Sequence, residues 1–345
     1  MPSTTITDVA LAAGVSTATV SRVLNNQPQV DPRLATAVRK AAKDLGYRPS
    51  RVARSLRTRQ SQVWALLLSD IRNPFFTDMV RGIEDVAFAA GFSLILCNAE
   101  EDPAKEASYL ELAVAESVGG VILTPTTSST DLSGLEEVGI PAVLADRTIE
   151  AAGTDSVVID NAGGAQRAVG HLIDGGHDRI ACITGPLEKT TGAARYAGYR
   201  AALQLAGLAV DESLVRVANF RESGGRQAMQ ELLAGETSPD AVFVANNLMT
   251  IGALHAIAEA GLRIPVEIAV IGFDEMSWAT LLSPALTTVA QPTYDLGVET
   301  GRLLRSRIEG YAGAARTVTL SPSLRIRESS RAKLTTSVEP SRRAG

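Results

Sequence analysis

Cysteine and long apolar segments are scarce in this sequence, and each shortage excludes a class of protein. The chain has two cysteines, Cys97 and Cys182, and both lie in apolar, strand-like runs. Buried free thiols are therefore expected rather than a disulfide framework. The N-terminus has no apolar signal segment, and no run approaches the length of a membrane-spanning helix. We expect a cytoplasmic protein with no membrane partner.

The residue patterns that mark common enzyme classes are also missing. The sequence has no G-x-G-x-x-G fingerprint for dinucleotides and no Walker loop for nucleoside triphosphates. The three histidines, His171, His177 and His255, lie far apart and lack metal-ligand spacing. Asp155, Ser156 and these histidines form no recognisable catalytic triad. We predict no catalytic residue, no metal site and no cofactor, and hence a protein that is not an enzyme.

Charge is distributed unevenly along the 345 residues, a length that suits two or three domains. The formal net charge is −5. Residues 1–60 hold ten basic and three acidic side chains, which gives this segment +7 and leaves −12 for the remainder. A basic end on an acidic body is typical of a protein that binds a polyanion through one domain.

Residues 1–46 are predicted to form a small all-α head of three helices. Thr5 and Asp8 have capping-box spacing, Gly14 ends the first helix, and Ser16 caps the second. Asp31 precedes a proline, as at the start of a third helix. A helix, a tight turn and a second helix give helix-turn-helix geometry, in which the second helix enters the DNA major groove.

Small polar side chains and one arginine lie along this second helix. Thr17 can hydrogen-bond base edges, Ala18 can contact a thymine methyl group, and Arg22 suits bidentate contact to guanine. Ser16 and Ser21 suit phosphate contacts. The alternatives are structural, with Ser16 as an N-cap only and the other side chains as solvated surface.

From residue 62 onward, apolar strand-like runs alternate with helical stretches. The runs cover residues 63–69, 93–99, 120–126, 141–147, 157–160, 180–185, 241–246 and 268–274. This alternation predicts an α/β fold with two doubly wound parallel lobes, whose ligand crevice lies at the carboxyl ends of the strands. We assign about 62–161 and 293–320 to an N-lobe, and about 162–290 and 321–329 to a C-lobe. Residues 47–61 are too short and charged to hold a helix alone and are predicted to be a hinge. The polar segment 330–345 is predicted to be a disordered tail.

Short motifs follow one another nearly without a gap over residues 4–57, including "DVA", "AGVS", "TVSRVLN", "LGYRP" and "ARSL". This segment resembles the head of the lactose-repressor (LacI/GalR) family of transcription regulators. The resemblance implies base contacts from the second helix, and a hinge that becomes helical on the operator and wedges a leucine into the minor groove. It also implies a homodimer on pseudo-palindromic operator DNA. The predicted DNA-binding residues are Thr5, Ser16, Thr17, Ala18, Ser21, Arg22, Asn25, Ala53, Leu56 and Arg57.

Scattered motifs in residues 62–328 carry a second resemblance. The segments "NPFF", "ADR", "GAARYAGYR", "ANFRES", "VANN", "IGFDE" and "TTVAQP" are similar to those of periplasmic sugar-binding proteins, ribose binders especially. The resemblance implies an effector pocket in which aromatic faces meet sugar C–H groups, amides and carboxylates bond hydroxyls, and arginines bond vicinal oxygens. All but two of the predicted residues, Arg195 and Phe220, fall at or just after strand ends. The full set is Asn73, Phe75, Phe76, Asp146, Arg147, Arg195, Phe220, Asn246, Asp274 and Gln291.

Several alternatives remain open for this pocket. Asp146 and Arg147 could simply pair with each other, and one of Phe75 and Phe76 could belong to the core. Asn247 stands where the family usually has an acidic residue. We predict a repressor switched by a sugar, with a pentose such as ribose favoured. The segment "GPLEKTTGAAR" is also close to the purine-sensing branch, so a purine or nucleoside stays an alternative, and a sugar-binding protein without a DNA role is a third.

Replacing Leu56 tests the hinge interpretation. Leu56→Ala removes the apolar wedge that offsets the cost of unstacking the central base step, so operator affinity should fall about tenfold or more. A gel-shift titration measures the affinity, and circular dichroism checks that the head stays folded. Equal affinity of the variant and the original chain would refute the wedge.

Overall fold

The computed structural model describes residues 4–24, 30–47, 61–150 and 153–333. The chain divides into two compact units, Met1–Gln62 and Val63–Gly345. Four predicted DNA contacts, Asn25, Ala53, Leu56 and Arg57, lie outside the described residues, as does most of the predicted hinge.

Three helices form the first unit: α1 (Ile6–Ala13), α2 (Thr17–Leu24) and α3 (Pro32–Asp44). The capping box is confirmed, because Thr5 Oγ1 accepts the N–H of Asp8 and the Asp8 carboxylate accepts the N–H of Thr5. Gly14 ends α1 at φ 66°, a left-handed conformation that favours glycine. The predicted cap of α3 is also confirmed, since the Asp31 carboxylate accepts the N–H of Arg33 at 2.7 Å. These caps fix the helix ends around a core of Val9, Ala10, Val20, Val23, Val38, Ala41 and Ala42.

The second unit contains two six-stranded sheets, and we call the sheets with their helices the N-lobe and the C-lobe. The N-lobe sheet has the order β11-β5-β4-β3-β1-β2 and is wholly parallel. Its strands are β1 (Val63–Leu68), β2 (Ser93–Asn98), β3 (Gly120–Leu123), β4 (Ala142–Ala145), β5 (Asp155–Ile159) and β11 (Thr317–Leu320).

The C-lobe sheet has the order β12-β10-β9-β8-β6-β7, and β12 alone of these strands runs antiparallel, against β10. Its strands are β6 (Ile180–Thr184), β7 (Val215–Val217), β8 (Ala241–Val244), β9 (Ala269–Phe273), β10 (Thr287–Ala290) and β12 (Ser323–Arg325). The chain crosses between the lobes after β5, after β10 and after β11. Because three crossings join the lobes along one side, the carboxyl ends of the two sheets face each other across a cleft.

Helices cover both sheets. The N-lobe has α4 (Pro74–Ala89), α5 (Pro103–Ala115), α6 (Ser133–Glu137) and α11 (Thr293–Ile308), and the C-lobe has α7 (Asn161–Asp174), α8 (Thr190–Leu205), α9 (Glu222–Leu233) and α10 (Asn247–Glu259). Two glycines let α4 and α11 touch. A Cβ on Gly82 would lie 2.2 Å from the backbone oxygen of Tyr294, and one on Gly297 would lie 2.1 Å from that of Met79. The late helix α11 is thereby held against the N-lobe.

Each of the eight predicted strand-like runs overlaps a strand, whereas the pattern does not reveal β7, β10, β11 and β12. These four have only three or four residues each. β10 and β11 are rich in threonine, and β11 lies at a sheet edge with alternate residues exposed. Short strands of this kind lack the continuous apolar run that marks a buried parallel strand.

The disordered tail predicted from residue 330 requires a correction, because the described chain continues in order to Lys333. Ser330 is 1% exposed, and its hydroxyl bonds His171 and Thr287. Lys333 donates its N–H to the Gly175 carbonyl and its ammonium group to Asp240 at 2.5 Å. Polar side chains hold this segment, which an apolar periodicity cannot reveal. Residues 334–345 lie outside the described residues.

The two cysteines and three histidines have structural surroundings. Cys97 and Cys182 are free and buried, as predicted. His177 lies 3.4 Å from Asp240, and His255 lies 3.3 Å from Glu222. Within the described ranges no group of His, Cys, Asp and Glu could hold a metal ion. In the same ranges no helix combines the length and the apolar character needed to cross a membrane.

One buried ion-pair cluster fixes the start of β5. Asp155 is 1% exposed and accepts bonds from Arg307 at 2.7 Å and Arg316 at 2.5 Å. Burial alone would raise the pKa of this carboxyl, but the bonds from the two arginines outweigh it and lower the pKa to about 2. The cluster joins β5 to α11 and to the segment before β11.

Replacing Asp155 should destabilise the fold at neutral pH. A carboxyl with a lowered pKa stabilises the fold above its unfolded pKa, and this contribution is lost as the pH falls toward 2. Asp155→Asn should therefore lower the free energy of unfolding by about 2 kcal/mol at pH 7, with the deficit shrinking below about pH 4. Urea denaturation measures it. Glu309→Gln, which removes an exposed pair with Arg305, should change it by under about 1 kcal/mol. A similar effect of both variants would contradict the assignment.

Candidate functional site

The head presents a short face of α2 to solvent. Val20 and Val23 bury the opposite face, while Thr17, Ala18 and Arg22 are exposed. Small side chains at the start of the helix allow another surface to approach its backbone closely. The arginine stands about one turn further along, with its donors free of the head's own core.

The predicted N-cap role of Ser16 is confirmed. Its Oγ accepts the N–H of Thr19 at 3.2 Å and bonds the Thr19 hydroxyl at 3.0 Å. Thr5 is exposed at the start of α1, and Ser21 is half-buried on α2. If Ser16 contacts a DNA phosphate, its hydroxyl must do so while it also caps α2.

In the body, the structure brings all ten predicted effector residues to one cavity between the lobes. Residues from both sheets meet there because the carboxyl ends of β1, β4, β8, β9 and β10 face each other. Phe220, expected away from a strand end, in fact follows the short strand β7. Arg195 projects from α8.

Six further residues line the cavity: Asp70, Glu101, Thr191, Asn219, Arg221 and Leu248. The strand-end rule could have found Asp70 and Glu101, which lie two and three residues beyond β1 and β2. The others neighbour predicted residues in sequence or lie one helical turn from them. For Glu101 the rule locates only the segment after β2, because "CNAEEDPAKE" gives no sign of which acidic residue turns inward.

The lobes are closed on this cavity. Its volume is about 40 Å³, which is room for a few water molecules, whereas small-molecule pockets typically measure ~300–1,000 Å³. A ligand of sugar size must therefore enter through a movement of the lobes or of the lining side chains.

The two arginines are already held by the protein. Arg147 donates to the Glu101 carboxylate at 2.7 and 2.9 Å and to the Pro125 carbonyl at 3.2 Å. Its Nε lies 3.9 Å from Asp146, too far for a hydrogen bond. The expected pairing of Asp146 with Arg147 is thus only a loose ionic contact, and Glu101 is the main partner of Arg147.

Arg195 is fixed in a similar way from the C-lobe side. It donates to the side-chain oxygen of Asn161 at 2.7 Å and to the Ala245 carbonyl at 2.6 Å. Its guanidinium lies 3.9 Å from the centre of the Phe273 ring. Such fixing sets the direction in which the remaining guanidinium donors point.

Three buried polar atoms of the cavity lining have no hydrogen-bond partner among the described residues: Asp146 Oδ1, Arg147 Nε and Gln291 Oε1. Their residues are each less than a tenth exposed. The other end of the Gln291 amide donates to Asp274. Buried polar groups without partners are costly, so the lining leaves two acceptors and one donor for a further hydrogen-bonding partner.

Backbone strain is concentrated at the same cavity. Asp146 (φ 65°), Phe220 (φ 58°) and Asp274 (φ 78°) adopt the left-handed conformation, which is unfavourable for residues other than glycine. Clusters of such residues are typical of functional sites. Burial also raises the pKa of Asp146 to about 6, because the nearby Arg147 and Arg195 offset the loss of hydration only in part.

The phenylalanines differ in role. Phe75 and Phe76 both belong to the N-lobe core, with ring centres 5.0 Å apart, so both line the cavity from within the core. The Phe220 ring packs on Gly185, where an added Cβ would lie 2.1 Å from it. Phe220 also faces Arg147 across the cleft, with 5.8 Å between the guanidinium carbon and the ring centre.

Asn247 connects the lobes, in place of the acidic residue usual there. Its side-chain amide donates to Asn73 at 2.6 Å and contacts the Met276 sulfur at 3.2 Å. Its backbone N–H donates to Asp274 at 3.2 Å. The neighbouring Asn246 caps α10 through the N–H of Met249. An uncharged residue at 247 can thus donate to the N-lobe.

Comparisons with known proteins agree with this geometry. Residues 5–50 match the family model described as bacterial regulatory proteins, lacI family, and residues 169–330 match a periplasmic binding protein-like domain. A ribose operon repressor from Escherichia coli (strain K12) is 39% identical over 85% of this chain and 89% of its own length. The chain belongs to the lacI family. It is therefore a DNA-binding transcriptional regulator and not an enzyme.

Two further members of the lacI family match almost the whole chain. An HTH-type transcriptional repressor PurR from Histophilus somni (strain 129Pt) is 35% identical over 94% of this chain and 98% of its own length. The crystal structure of the lac repressor dimer bound to operator and the anti-inducer ONPF has a TM-score of 0.86 and 28% identity, covering 96% of this chain and 100% of that chain. The predicted fold class, a helix-turn-helix head with two periplasmic-binding-protein-type lobes, is confirmed.

The ionised Asp146 carboxylate should lower the free energy of unfolding of this lacI-family regulator at neutral pH. Its folded pKa is raised from 3.8 to about 6, so the ionised carboxylate destabilises the fold above about pH 6 and the penalty vanishes below about pH 4. Asp146→Asn should raise the free energy of unfolding by up to about 3 kcal/mol at pH 7 and by little at pH 4. Urea denaturation at both pH values measures the gain. A loss of stability at pH 7 would contradict the assignment.

Proposed function

We propose that this lacI-family regulator is a repressor whose operator affinity is switched by a neutral sugar, D-ribose in the first place, bound between the lobes. The main support for a sugar ligand comes from three buried atoms without hydrogen-bond partners, Asp146 Oδ1, Arg147 Nε and Gln291 Oε1. A sugar hydroxyl both donates and accepts, so a ring with several hydroxyls can serve two acceptors and one donor together. The 39% identical relative named ribose operon repressor supports the same sugar.

The binding set we propose is the ten predicted effector residues. Phe75, Phe76 and Phe220 offer apolar surface to the sugar ring, and Asn73, Asn246 and Asp274 offer further polar groups at strand ends. The DNA-binding set is the ten residues predicted for the head and hinge. Arg22, exposed on α2, would contact guanine, and Thr17 and Ala18 would contact neighbouring base edges.

The proposed mechanism couples the two sites. A sugar that binds better to one arrangement of the lobes shifts the population toward it. By linkage, if the sugar lowers operator affinity, the operator lowers sugar affinity by the same factor. The proposed division of labour assigns residues 1–46 to DNA, 47–61 to the hinge, and 62–329 to effector binding and dimerisation.

We further propose that the regulator works in the cytoplasm as a homodimer. One head covers one half-site, so a two-fold symmetric dimer suits a pseudo-palindromic operator. The related lac repressor structure, titled a dimer bound to operator, supports this assembly.

A purine effector is the second candidate. The segment 185–195 resembles the purine-sensing branch, and a relative named PurR is 35% identical. In the structure this segment contributes Thr191 and Arg195 to the cavity. A flat base would gain from the phenylalanine rings, but its N–H donors are fixed in the ring plane, whereas sugar hydroxyls can rotate to meet the partnerless acceptors.

Operator release by sugar is the direct test. We expect the full chain to bind a labelled palindromic duplex with a central CpG step, and D-ribose to release it, as read by fluorescence anisotropy at fixed salt. Release by hypoxanthine instead would favour the purine candidate. Tighter DNA binding with ribose would reverse the sign of the coupling, and no response to either ligand would refute both effectors.

A pair of head variants tests the DNA contact within the same assay. Arg22→Ala should lose about 1–3 kcal/mol of discrimination against a duplex with a changed guanine. Arg33→Ala removes an equal charge from an exposed position on α3 and should weaken binding to all sequences alike, or not at all. Equal discrimination by Arg22→Ala and the original chain would exclude a base contact.

A further inference from the structure

We propose that Glu101 is a further effector-site residue, which holds Arg147 in its binding orientation, ties it across the cleft to Lys189, and restricts the site to uncharged ligands. This inference rests on the proposed function and names the ligand class of the same site. Glu101 lies just after β2, lines the cavity and adopts φ 62°, a left-handed conformation.

Glu101 first controls Arg147 within the N-lobe. Both oxygens of the carboxylate accept bonds from the two terminal guanidinium nitrogens, at 2.7 and 2.9 Å. This bidentate arrangement fixes the plane of the guanidinium. The third guanidinium nitrogen, Nε, has no partner and is buried in a cavity-lining residue. Arg147 therefore contacts a ligand through Nε rather than through its two terminal nitrogens, which the Glu101 carboxylate already occupies.

Glu101 also reaches the C-lobe. Lys189, the residue before α8, lies 3.0 Å from the carboxylate, and its side chain is only 11% exposed. The same ammonium group donates to the Thr126 carbonyl of the N-lobe. These contacts cross the cleft, so they must break when the lobes separate to admit a ligand into the 40 Å³ cavity.

Among the described residues, the charges around the cavity leave no buried arginine without a nearby carboxylate for an anionic ligand. The lining residues include four carboxylates, Asp70, Glu101, Asp146 and Asp274, against three arginines. Arg147 and Lys189 share Glu101, and the pKa of Glu101 stays below its usual value because their bonds outweigh the effect of burial. Arg221 is exposed, and Asp70 is paired with Arg72, whose hydrogen bonds outweigh burial and lower the pKa of Asp70.

Arg195 is engaged as well. Two of its donors are taken by Asn161 and Ala245, and its charge is felt by both Asp146 and Asp274. A phosphate group would therefore have to displace Glu101 from its arginine or lie against uncompensated carboxylates. A free sugar meets neither obstacle, so we expect the site to select the unphosphorylated form.

Neutralising Glu101 tests the proposal. In Glu101→Gln the amide still accepts one bond from Arg147 but no longer balances its charge or that of Lys189. Isothermal titration of the full chain with D-ribose and with D-ribose 5-phosphate gives both affinities. We expect the original chain to prefer ribose at least about 100-fold, and Glu101→Gln to bind ribose about tenfold more weakly and to lower that preference at least about tenfold.

The matched control is Glu100→Gln. Glu100 is the adjacent residue, shares the left-handed backbone at φ 56°, and pairs with the exposed Lys105 outside the cavity. The substitution Glu100→Gln should leave the affinities for both sugars unchanged. If Glu101→Gln and Glu100→Gln behave alike, Glu101 has no role in ligand selection and the proposal is wrong.

A second variant separates the two roles of Glu101. Lys189→Met breaks the link across the cleft but leaves the Glu101–Arg147 pair intact. Stopped-flow tryptophan fluorescence should show ribose associating and dissociating several-fold faster, with the preference over the phosphorylated sugar retained. Unchanged rates would show that the contact does not restrain the lobes.

The link across the cleft can also be measured without any sugar. Should the original chain bind neither sugar, small-angle X-ray scattering without ligand still compares the variants. We expect Glu101→Gln and Lys189→Met to have a larger radius of gyration than the original chain and Glu100→Gln. Equal radii for all four proteins would refute the link across the cleft.

Discussion

The parallel arrangement of two buried sheets is the constraint on which the site depends. Strands covered by helices on both faces have no room for polar side chains along their length, so β1, β4, β8 and β9 are almost wholly apolar. Polar groups can enter only where each strand ends. Because three chain crossings join the lobes along one side, both sets of strand ends face the same cleft. Asp146, Asn246 and Asp274 therefore meet there although they are far apart in the sequence.

The same constraint explains how much the sequence could predict. Strand ends can be read from apolar runs, so most of the cavity residues, such as Asp146 and Asp274, are predictable without a structure. Contacts between residues that are distant in the sequence are not predictable in this way. Nothing in "NAEEDP" indicates that Glu101 rather than Glu100 turns toward Arg147, and nothing in the sequence around Lys189 or Lys333 indicates that either lysine pairs with an acidic side chain. The short strands β10, β11 and β12 are not predicted for a related reason, since their neighbours and not their own apolarity make them strands.

The cavity holds energetically unfavourable features that the rest of the fold avoids. Asp146 combines a left-handed backbone, a buried charge and an oxygen without a partner. Asp155, equally buried, has two arginines and a lowered pKa. The two carboxylates differ in what they can still bind. The Asp155 carboxylate has its hydrogen bonds filled by the protein, whereas Asp146 keeps one oxygen for another partner. Stability given up at one residue leaves a hydrogen-bond acceptor available for the proposed sugar.

The contacts across the cleft also limit how strongly a ligand can act on DNA binding. A ligand shifts an equilibrium only by the difference in its affinity for the two states. Here Asn247 bonds Asn73, and Lys189 bonds Glu101 and Thr126, so side chains of the protein itself help to hold the lobes together. Each such contact moves the unliganded protein toward the closed state and reduces the shift that remains for the ligand. The strength of the switch is therefore set as much by polar side chains of the protein's own cleft as by the affinity of the effector.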